Sequence, residues 1–129
     1  MRPRPLDLAV LPERLIIGRL PADSPCPDWA VSSRFCAIAR TAEELSVVCC
    51  EEDAPQDLHC DRGWRALKIE GPLDLHDVGI VLSLAAPLAE AGVSIFVVST
   101  YETDYTLVRE SQLERAVAAL EEQGHSVRG

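Results

Sequence analysis

The pattern of apolar and polar positions predicts one strand–turn–strand unit twice along the chain. The stretches FCAIARTAEELSVVC (35–49) and IFVVSTYETDYTLVR (95–109) each contain two apolar runs joined by a turn rich in Thr and Glu. They align without a gap at an offset of 60 residues (95 − 35). Another strand candidate precedes each stretch, RLIIGRL (14–20) and RALKIEG (65–71). We interpret the two stretches as copies of one supersecondary unit.

In the second copy, a helix is expected between the upstream strand and the hairpin. Asp77 is a residue type that caps helix N-termini, and Gly92 is suited to ending a helix. Pro87 predicts a kink or an early last turn, because proline removes one helical hydrogen bond. The apolar positions recur at helical spacing and predict one buried face: Val81, Leu84, Ala85 and Leu88.

A second helix is expected directly after the hairpin of the second copy. Ser111 and Glu114 have the spacing of a capping box, and Gly124 is placed to end the helix. A short last strand is predicted at residues 125–128. The helix would bury an apolar stripe of Leu113, Ala116, Val117 and Leu120.

These elements follow the ferredoxin-like order βαββαβ, an antiparallel sheet with helices on one face. The fold class predicted is therefore α+β, with two such units in tandem. The first copy has room only for a short helix near 28–32 and for one helical turn between residues 50 and 64. We place a degenerate N-terminal half at residues 1–62 and a complete C-terminal domain at residues 63–129.

Composition and charge narrow the classes of partner. The 129 residues are 47% hydrophobic, and 21 acidic against 12 basic residues give a formal charge of −9. A surface this acidic argues against nucleic acid and anionic membranes. No apolar run is long enough for a spanning helix, and the N-terminus does not have the pattern of a signal peptide. A cytoplasmic location is therefore expected.

The five cysteines predict free thiols rather than a disulfide framework or a metal site. Their number is odd, and no C-x-x-C pair is present to supply half of a zinc site. Glu51, Glu52 and Asp53 are interpreted as a solvated acidic loop or a helix cap. Neither a metal nor a cofactor is expected. No nucleophile, base and orienting group occur at a catalytic spacing, so an enzyme is the weakest functional class.

The stretch VGIVLSLAAPLAEAGVSIFVVSTYETDYTLVRESQLERAV (78–117) closely resembles an ACT domain. It is most similar to the tandem-ACT proteins related to the cytosolic arginine sensors and to the regulatory domains of aspartate kinases. The resemblance implies a small-molecule-binding regulatory module that senses a free amino acid at an interface between ACT domains. It also implies a homodimer, because the arginine sensors carry four ACT domains and this chain has material for two.

The resemblance also implies which residues contact the ligand. One group lies at the helix-to-strand entry, where Ser94 and the backbone of Val93 and Ile95 would meet the ligand's carboxylate and amino groups. A second group, near the TYETD turn and the first helix, comprises Asp77, Gly79, Thr100, Tyr101, Thr103 and Asp104. In the sensors the two groups come from facing domains, so here they would come from two subunits.

The residue types alone leave open both the identity of the ligand and the role of the turn. Asp104 could accept a ligand ammonium or serve as a turn residue, and Asp77 could favour a basic side chain or cap a helix. Arginine or another basic amino acid is one candidate ligand. However, Glu102 and Thr103 are more polar than the corresponding turn in the sensors. The alternative function is a protein-interaction module that keeps the ACT scaffold without a ligand.

Overall fold

A computed structural model describes residues 5–71, 73 and 77–129. These residues form seven strands, three α-helices and two 3-10 turns. In chain order the elements are β1 (Asp7–Leu20), α1 (Asp28–Val31), β2 (Cys36–Arg40), β3 (Leu45–Cys50), a 3-10 turn (Glu51–Asp53), β4 (Cys60–Ile69), α2 (Ile80–Glu90), β5 (Ile95–Ser99), β6 (Asp104–Arg109), a 3-10 turn (Glu110–Gln112), α3 (Leu113–Glu122) and β7 (Ser126–Arg128).

The chain divides into two compact units, and the long strands β1 and β4 each contribute to both. The C-terminal unit holds the described residues up to Pro12 together with Arg65–Gly129, and the N-terminal unit is Glu13–Trp64. The sequence-based boundary at residue 62 does not match this division at the start of the chain. The reason is that residues 7–9 of β1 pair in parallel with β7.

The N-terminal unit has the ferredoxin-like strand order β2-β3-β1-β4. Residues 15–20 of β1 pair antiparallel with β3, and β3 pairs antiparallel with β2. Its core is built around buried Ile16, Leu45 and Val47, with Ala30 of the short helix α1 packed against them. Helix α1 lies where a short helix was predicted, and the predicted helical turn corresponds to the 3-10 turn at Glu51–Asp53.

In the C-terminal unit the strand order is β1-β4-β6-β5, with β7 pairing on the other side of β1. The first part of β1 therefore lies between β4 and β7, the first and last strands of the predicted βαββαβ unit. Helices α2 and α3 supply Leu84, Leu88, Ala116 and Leu120 to a core that also contains Leu8. The predicted α+β ACT-like fold is thus confirmed for this unit, with one strand from the start of the chain added to it.

The repeated hairpin is present, at an offset one residue shorter than predicted. In the first hairpin Cys36 pairs with Cys49, and in the second Ile95 pairs with Val108, so the hairpins lie 59 residues apart (95 − 36). The 3-10 turns that follow them begin at Glu51 and Glu110, at the same offset (110 − 51). The offset of 60 was therefore wrong by one residue. Successive side chains of a strand point to opposite faces of the sheet, so an alignment shifted by one residue would match residues from opposite faces.

The predicted start of α2 was also wrong. Gly79, rather than Asp77, is the N-cap residue, and it adopts φ +82°, a conformation that favours glycine. The helix consequently begins at Ile80, and its buried face consists of Ile80, Ser83, Leu84, Pro87 and Leu88. Val81, predicted to be buried, is 46% exposed. Pro87 does not end the helix early, since α2 continues to Glu90.

Both long helices end at the predicted glycines. Gly92 and Gly124 have positive φ, and the residue after each donates its amide hydrogen to a carbonyl five residues earlier, Val93 to Leu88 O and His125 to Leu120 O. These are Schellman motifs. The predicted capping box of α3 is absent, because a 3-10 turn precedes the helix and its N-cap is Gln112, which forms no side-chain capping bond. The turn holds Ser111 outside the N-cap position.

Candidate functional site

A cleft of about 420 Å³ lies in the C-terminal unit between the start of α2 and the β5–β6 turn. One wall comes from the chain leading into α2 and from the first turn of the helix. The other comes from the end of β5 and the turn that follows it. The lining residues are Leu73, Asp77, Gly79, Ile80, Val81, Leu82, Ser99, Thr100, Tyr101, Glu102, Thr103 and Asp104.

The β5–β6 turn is fixed by hydrogen bonds within it. The amide and hydroxyl of Thr100 both donate to Thr103 O, at 2.8 and 3.0 Å. The Thr103 hydroxyl is buried and donates to Ile69 O on β4 at 2.6 Å. Leu73 N donates to Glu102 O at 2.6 Å, which joins the turn to the segment before α2. A backbone hydrogen bond therefore connects the two walls of the cleft.

The charge of the cleft is negative. Among the lining residues that the structure describes, Asp77, Glu102 and Asp104 carry carboxylates and none is basic. Three exposed apolar side chains line the cleft: Val81 at 46%, Leu82 at 55% and Tyr101 at 80% exposure. A site of this kind favours a small ligand that carries a cationic group together with some apolar surface.

Six of the nine residues predicted as ligand contacts lie together in this cleft: Asp77, Gly79, Thr100, Tyr101, Thr103 and Asp104. The other three, Val93, Ser94 and Ile95, lie at the opposite end of β5 and are not among the lining residues. Four strand steps from Ile95 to Ser99 separate the two groups by about 14 Å. Within one chain, therefore, the two predicted groups do not form a single site.

Gln112 lies beside the helix-to-strand group of Val93, Ser94 and Ile95 and was not predicted. Its Nε2 donates to Gly92 O at 3.3 Å, next to the turn that leads into Val93 and Ser94. Its Oε1 is buried and has no hydrogen-bond partner among the described residues. A buried acceptor without a partner is rare in folded proteins. The sequence signal was weak, since Gln112 stood only inside the supposed capping box.

Outside the cleft, the cysteines, possible metal ligands and helix lengths were compared with the predictions. All five cysteines are free, and burial raises the pKa of Cys49 to about 12. Within the described ranges no cluster of His, Cys, Asp or Glu side chains is arranged to hold a metal ion. Over those same ranges, no helix combines the length and apolar character that crossing a bilayer requires.

The fold and the cleft define a class: an α+β protein with a ferredoxin-like unit and an acidic cleft beside the first helix of that unit. A family model of the ACT domain matches residues 59–122, and a second model, described as an N-terminal domain, matches residues 13–57. Residues 59–122 of the chain belong to the ACT domain family.

Two of the similar proteins share substantial sequence identity with this chain. A protein from Agrobacterium tumefaciens, known from its crystal structure, has 40% sequence identity to this chain and a TM-score of 0.91. The match covers 98% of this chain and 95% of that one. The human cytosolic arginine sensor for mTORC1 subunit 1 is 37% identical over 59 residues, which are 45% of this chain and 18% of the sensor. The match therefore spans less than a fifth of the sensor's length.

The aspartate kinase regulatory subunit of Thermus thermophilus shares the fold alone. Its ligand-free crystal structure has a TM-score of 0.63 at 10% identity, covering 89% of this chain and 97% of that one. The predicted relation to aspartate kinase regulatory domains is thus confirmed at the level of the fold.

Proposed function

We propose that this chain is a regulatory module that binds a free amino acid and carries out no catalysis. The observation that carries the proposal is the acidic cleft in the C-terminal unit, which lies within the residues that match the ACT domain model. The similarity to a protein named as an arginine sensor supports an amino acid as the ligand. The N-terminal unit is proposed to be a degenerate ACT domain, since it repeats the hairpin and the 3-10 turn but lacks a second helix.

The carboxylates of the cleft favour a basic amino acid. Asp104 lies at the first position of β6, partly exposed, and is proposed to accept a hydrogen bond from the ligand's ammonium or guanidinium group. Charge-assisted bonds of this kind are about twice as strong as neutral ones. Asp77 is proposed to add to the negative potential from the other wall. Arginine and lysine are therefore the first candidates.

A second copy of the chain is proposed to complete the site. Strand β5 is the last strand in the order β1-β4-β6-β5, so one of its edges is not paired within that order. If two β5 strands pair antiparallel about a two-fold axis, the Ile95 end of one lies beside the Ser99 end of the other. Ser94 of the partner subunit would then approach the cleft, together with the backbone of its Val93 and Ile95. This arrangement reunites the two groups of predicted contacts.

Thermal unfolding with each of the twenty amino acids tests the proposal directly. A ligand that binds only the folded state raises the melting temperature by mass action. We expect a basic amino acid to give the largest increase, and the Asp104→Asn variant to lose most of it. The loss of a charged hydrogen bond should weaken binding by about tenfold or more, since such a bond contributes about 1.5–3 kcal/mol.

The matched control is Asp57→Asn, which removes an exposed carboxylate from the N-terminal unit. It should respond to the ligand as the parent does. Equal responses of Asp104→Asn and the parent would reduce the β5–β6 turn to a structural connection.

A protein-interaction module without a ligand is the second candidate, favoured by the exposed apolar side chains near the cleft. Val78, Leu82 and Tyr101 are 79%, 55% and 80% exposed. Apolar and aromatic side chains of this kind are typical of protein interfaces. If none of the twenty amino acids changes the melting temperature while light scattering finds a dimer, this second function replaces the first.

A further inference from the structure

The turn that forms one wall of the cleft is built a second time in the N-terminal unit. Thr41 follows β2 as Thr100 follows β5, at the hairpin offset of 59 residues (100 − 41). The amide of Thr41 donates to Glu44 O at 2.9 Å, and the corresponding amide of Thr100 donates to Thr103 O at 2.8 Å. The threonine hydroxyls accept from backbone amides in both turns. The two turns can therefore be compared position by position.

The residue just before each turn differs sharply between the units. In the C-terminal unit it is Ser99, a short side chain that lines the open cleft. In the N-terminal unit the same position, 59 residues earlier, is Arg40 at the end of β2. Leu73, Asp77 and Gly79, which line the cleft, follow β4 and precede α2. Residues 21–27, between β1 and α1, hold the same place in the element order of the N-terminal unit.

The Arg40 side chain reaches across to that connection and binds its backbone. Nη1 donates to Ala22 O, and Nη2 donates to Ser24 O at 2.7 Å. Nη2 also lies 4.0 Å from Cys26 Sγ. Two nitrogens of one planar guanidinium thus bind two carbonyls that are two residues apart. We refer to Ala22 O and Ser24 O as the carbonyl cradle.

The backbone around the carbonyl cradle is stiff without help from Arg40. Pro21, Pro25 and Pro27 fix three of the seven φ angles of the connection. Ser24 N donates to Pro21 O at 3.0 Å and closes a turn between them. The cradle carbonyls should therefore stay close to their positions when the arginine side chain is removed.

We propose that the carbonyl cradle is a guanidinium-binding site that the chain fills with its own Arg40. In the N-terminal unit the cradle is thus closed to external ligands, whereas the short side chain of Ser99 leaves the corresponding position after β5 unfilled. The ligand class of the cradle is a planar cation with two adjacent N–H donors. This inference stands independently of the proposed amino-acid function.

The test is chemical rescue of Arg40→Ser, which gives the position its Ser99 counterpart. The loss of two exposed hydrogen bonds should lower the melting temperature by about 3–6 °C. Methylguanidinium at roughly 10–50 mM should then restore at least half of that loss, because it binds only the folded state. Methylammonium at equal concentration should restore much less, since it cannot donate to both carbonyls in one plane.

The matched control is Arg19→Ser. Arg19 is also exposed and donates to a turn carbonyl, Glu43 O at 3.3 Å, but it binds a single carbonyl. It should show no rescue by methylguanidinium. Equal rescue of both variants, or no rescue of Arg40→Ser, would overturn the proposal. Neither outcome involves an amino acid or the cleft, so the proposed function is tested separately.

A measurement on the parent protein covers the case in which Arg40→Ser does not fold. Nuclear magnetic resonance of the guanidinium groups distinguishes a fixed fork from a solvated one. The Nη protons of Arg40 should give separate signals at low temperature, because two carbonyls restrict rotation of the group. Those of Arg34, whose side chain is 83% exposed, should be averaged. An averaged Arg40 signal would contradict the occupied cradle.

Discussion

Replacement of His125 by leucine should destabilise the C-terminal unit strongly, because its ring connects two backbone groups. Nδ1 accepts from Leu6 N at 3.0 Å, and Nε2 lies 3.0 Å from Ser83 O. The Leu6 amide can only donate, so Nδ1 carries no hydrogen, and we assign the proton to Nε2, which donates to Ser83 O. Ser83 O needs this donor because Pro87, four residues later, has no amide hydrogen.

The magnitude follows from the groups left behind. His125 is 4% exposed, so leucine would leave a buried amide and a buried carbonyl without partners. Each costs about 1–3 kcal/mol, so the free energy of unfolding should fall by about 2–6 kcal/mol. That is a large fraction of the roughly 5–15 kcal/mol that holds a typical domain folded.

Urea denaturation of a double-mutant cycle checks the reasoning. Pro87→Ala restores an amide that can donate to Ser83 O within the helix. His125→Leu should therefore cost about 1 kcal/mol less in the Pro87→Ala background than in the parent. An equal cost in both backgrounds would refute the link between proline and histidine. A cost below about 0.5 kcal/mol for His125→Leu alone would refute the whole assignment.

Three further predictions concern the cleft, the thiols and the edge strand. Thr103→Val should lower the free energy of unfolding by about 1–3 kcal/mol in urea denaturation, because it removes the buried bond to Ile69 O. At pH 8, iodoacetamide should modify exposed Cys26 well before Cys49, whose pKa of about 12 leaves almost no thiolate; mass spectrometry of timed samples measures both. Phe96→Lys, on the β5 edge and 36% exposed in the parent, should give a monomer in light scattering and abolish amino-acid stabilisation.

The local signals in the sequence predicted much of the C-terminal unit. Paired apolar runs located both hairpins. Gly92 and Gly124 located both helix ends, because a left-handed residue at that point favours glycine. The start of α2 was misplaced because Asp77 is a common capping type, whereas the helix begins after a left-handed Gly79. An N-cap preference is only statistical, and the geometry of the preceding segment decided the outcome.

The repeat was found from pattern, and pattern alone could not fix its register. Apolar runs of similar length align almost equally well at offsets of 59 and 60, since identity between the copies is slight. Strand pairing resolves this, because Ser99 pairs with Asp104 as Arg40 pairs with Leu45. With the wrong offset, Arg40 would have been compared with Thr100, and its relation to Ser99 would have been missed.

The contacts that escaped prediction join residues far apart in the chain. His125 and Leu6 are 119 residues apart in the chain, and no local pattern connects them. Gln112 contacts Gly92 across 20 residues, through a 3-10 turn that a capping-box pattern had concealed. The resemblance to ACT domains placed Asp77 and Asp104 in one group of predicted ligand contacts. A family motif contains tertiary information that hydrophobic periodicity lacks.

A fragment of residues 63–129, the C-terminal domain predicted from the sequence, should not fold cooperatively. The chain before it supplies Leu6 and Leu8, which are 7% and 1% exposed within the core of the C-terminal unit. Loss of two buried leucines removes about 3–6 kcal/mol, at about 1.5–3 kcal/mol each. The fragment also loses the parallel pairing of β1 with β7, in which Leu8 lies opposite Val127. Circular dichroism during urea titration should therefore show no cooperative transition.

Addition of a peptide of residues 5–12 in excess should restore that transition, since binding of the missing strand to the folded state stabilises it by mass action. The matched control peptide carries Leu6→Ser and Leu8→Ser, which keep the backbone donors and acceptors but remove the apolar side chains. It should restore little, because burial of the two leucines provides most of the binding free energy. A fragment that unfolds cooperatively without any peptide would show that the first part of β1 adds to a core that is already complete.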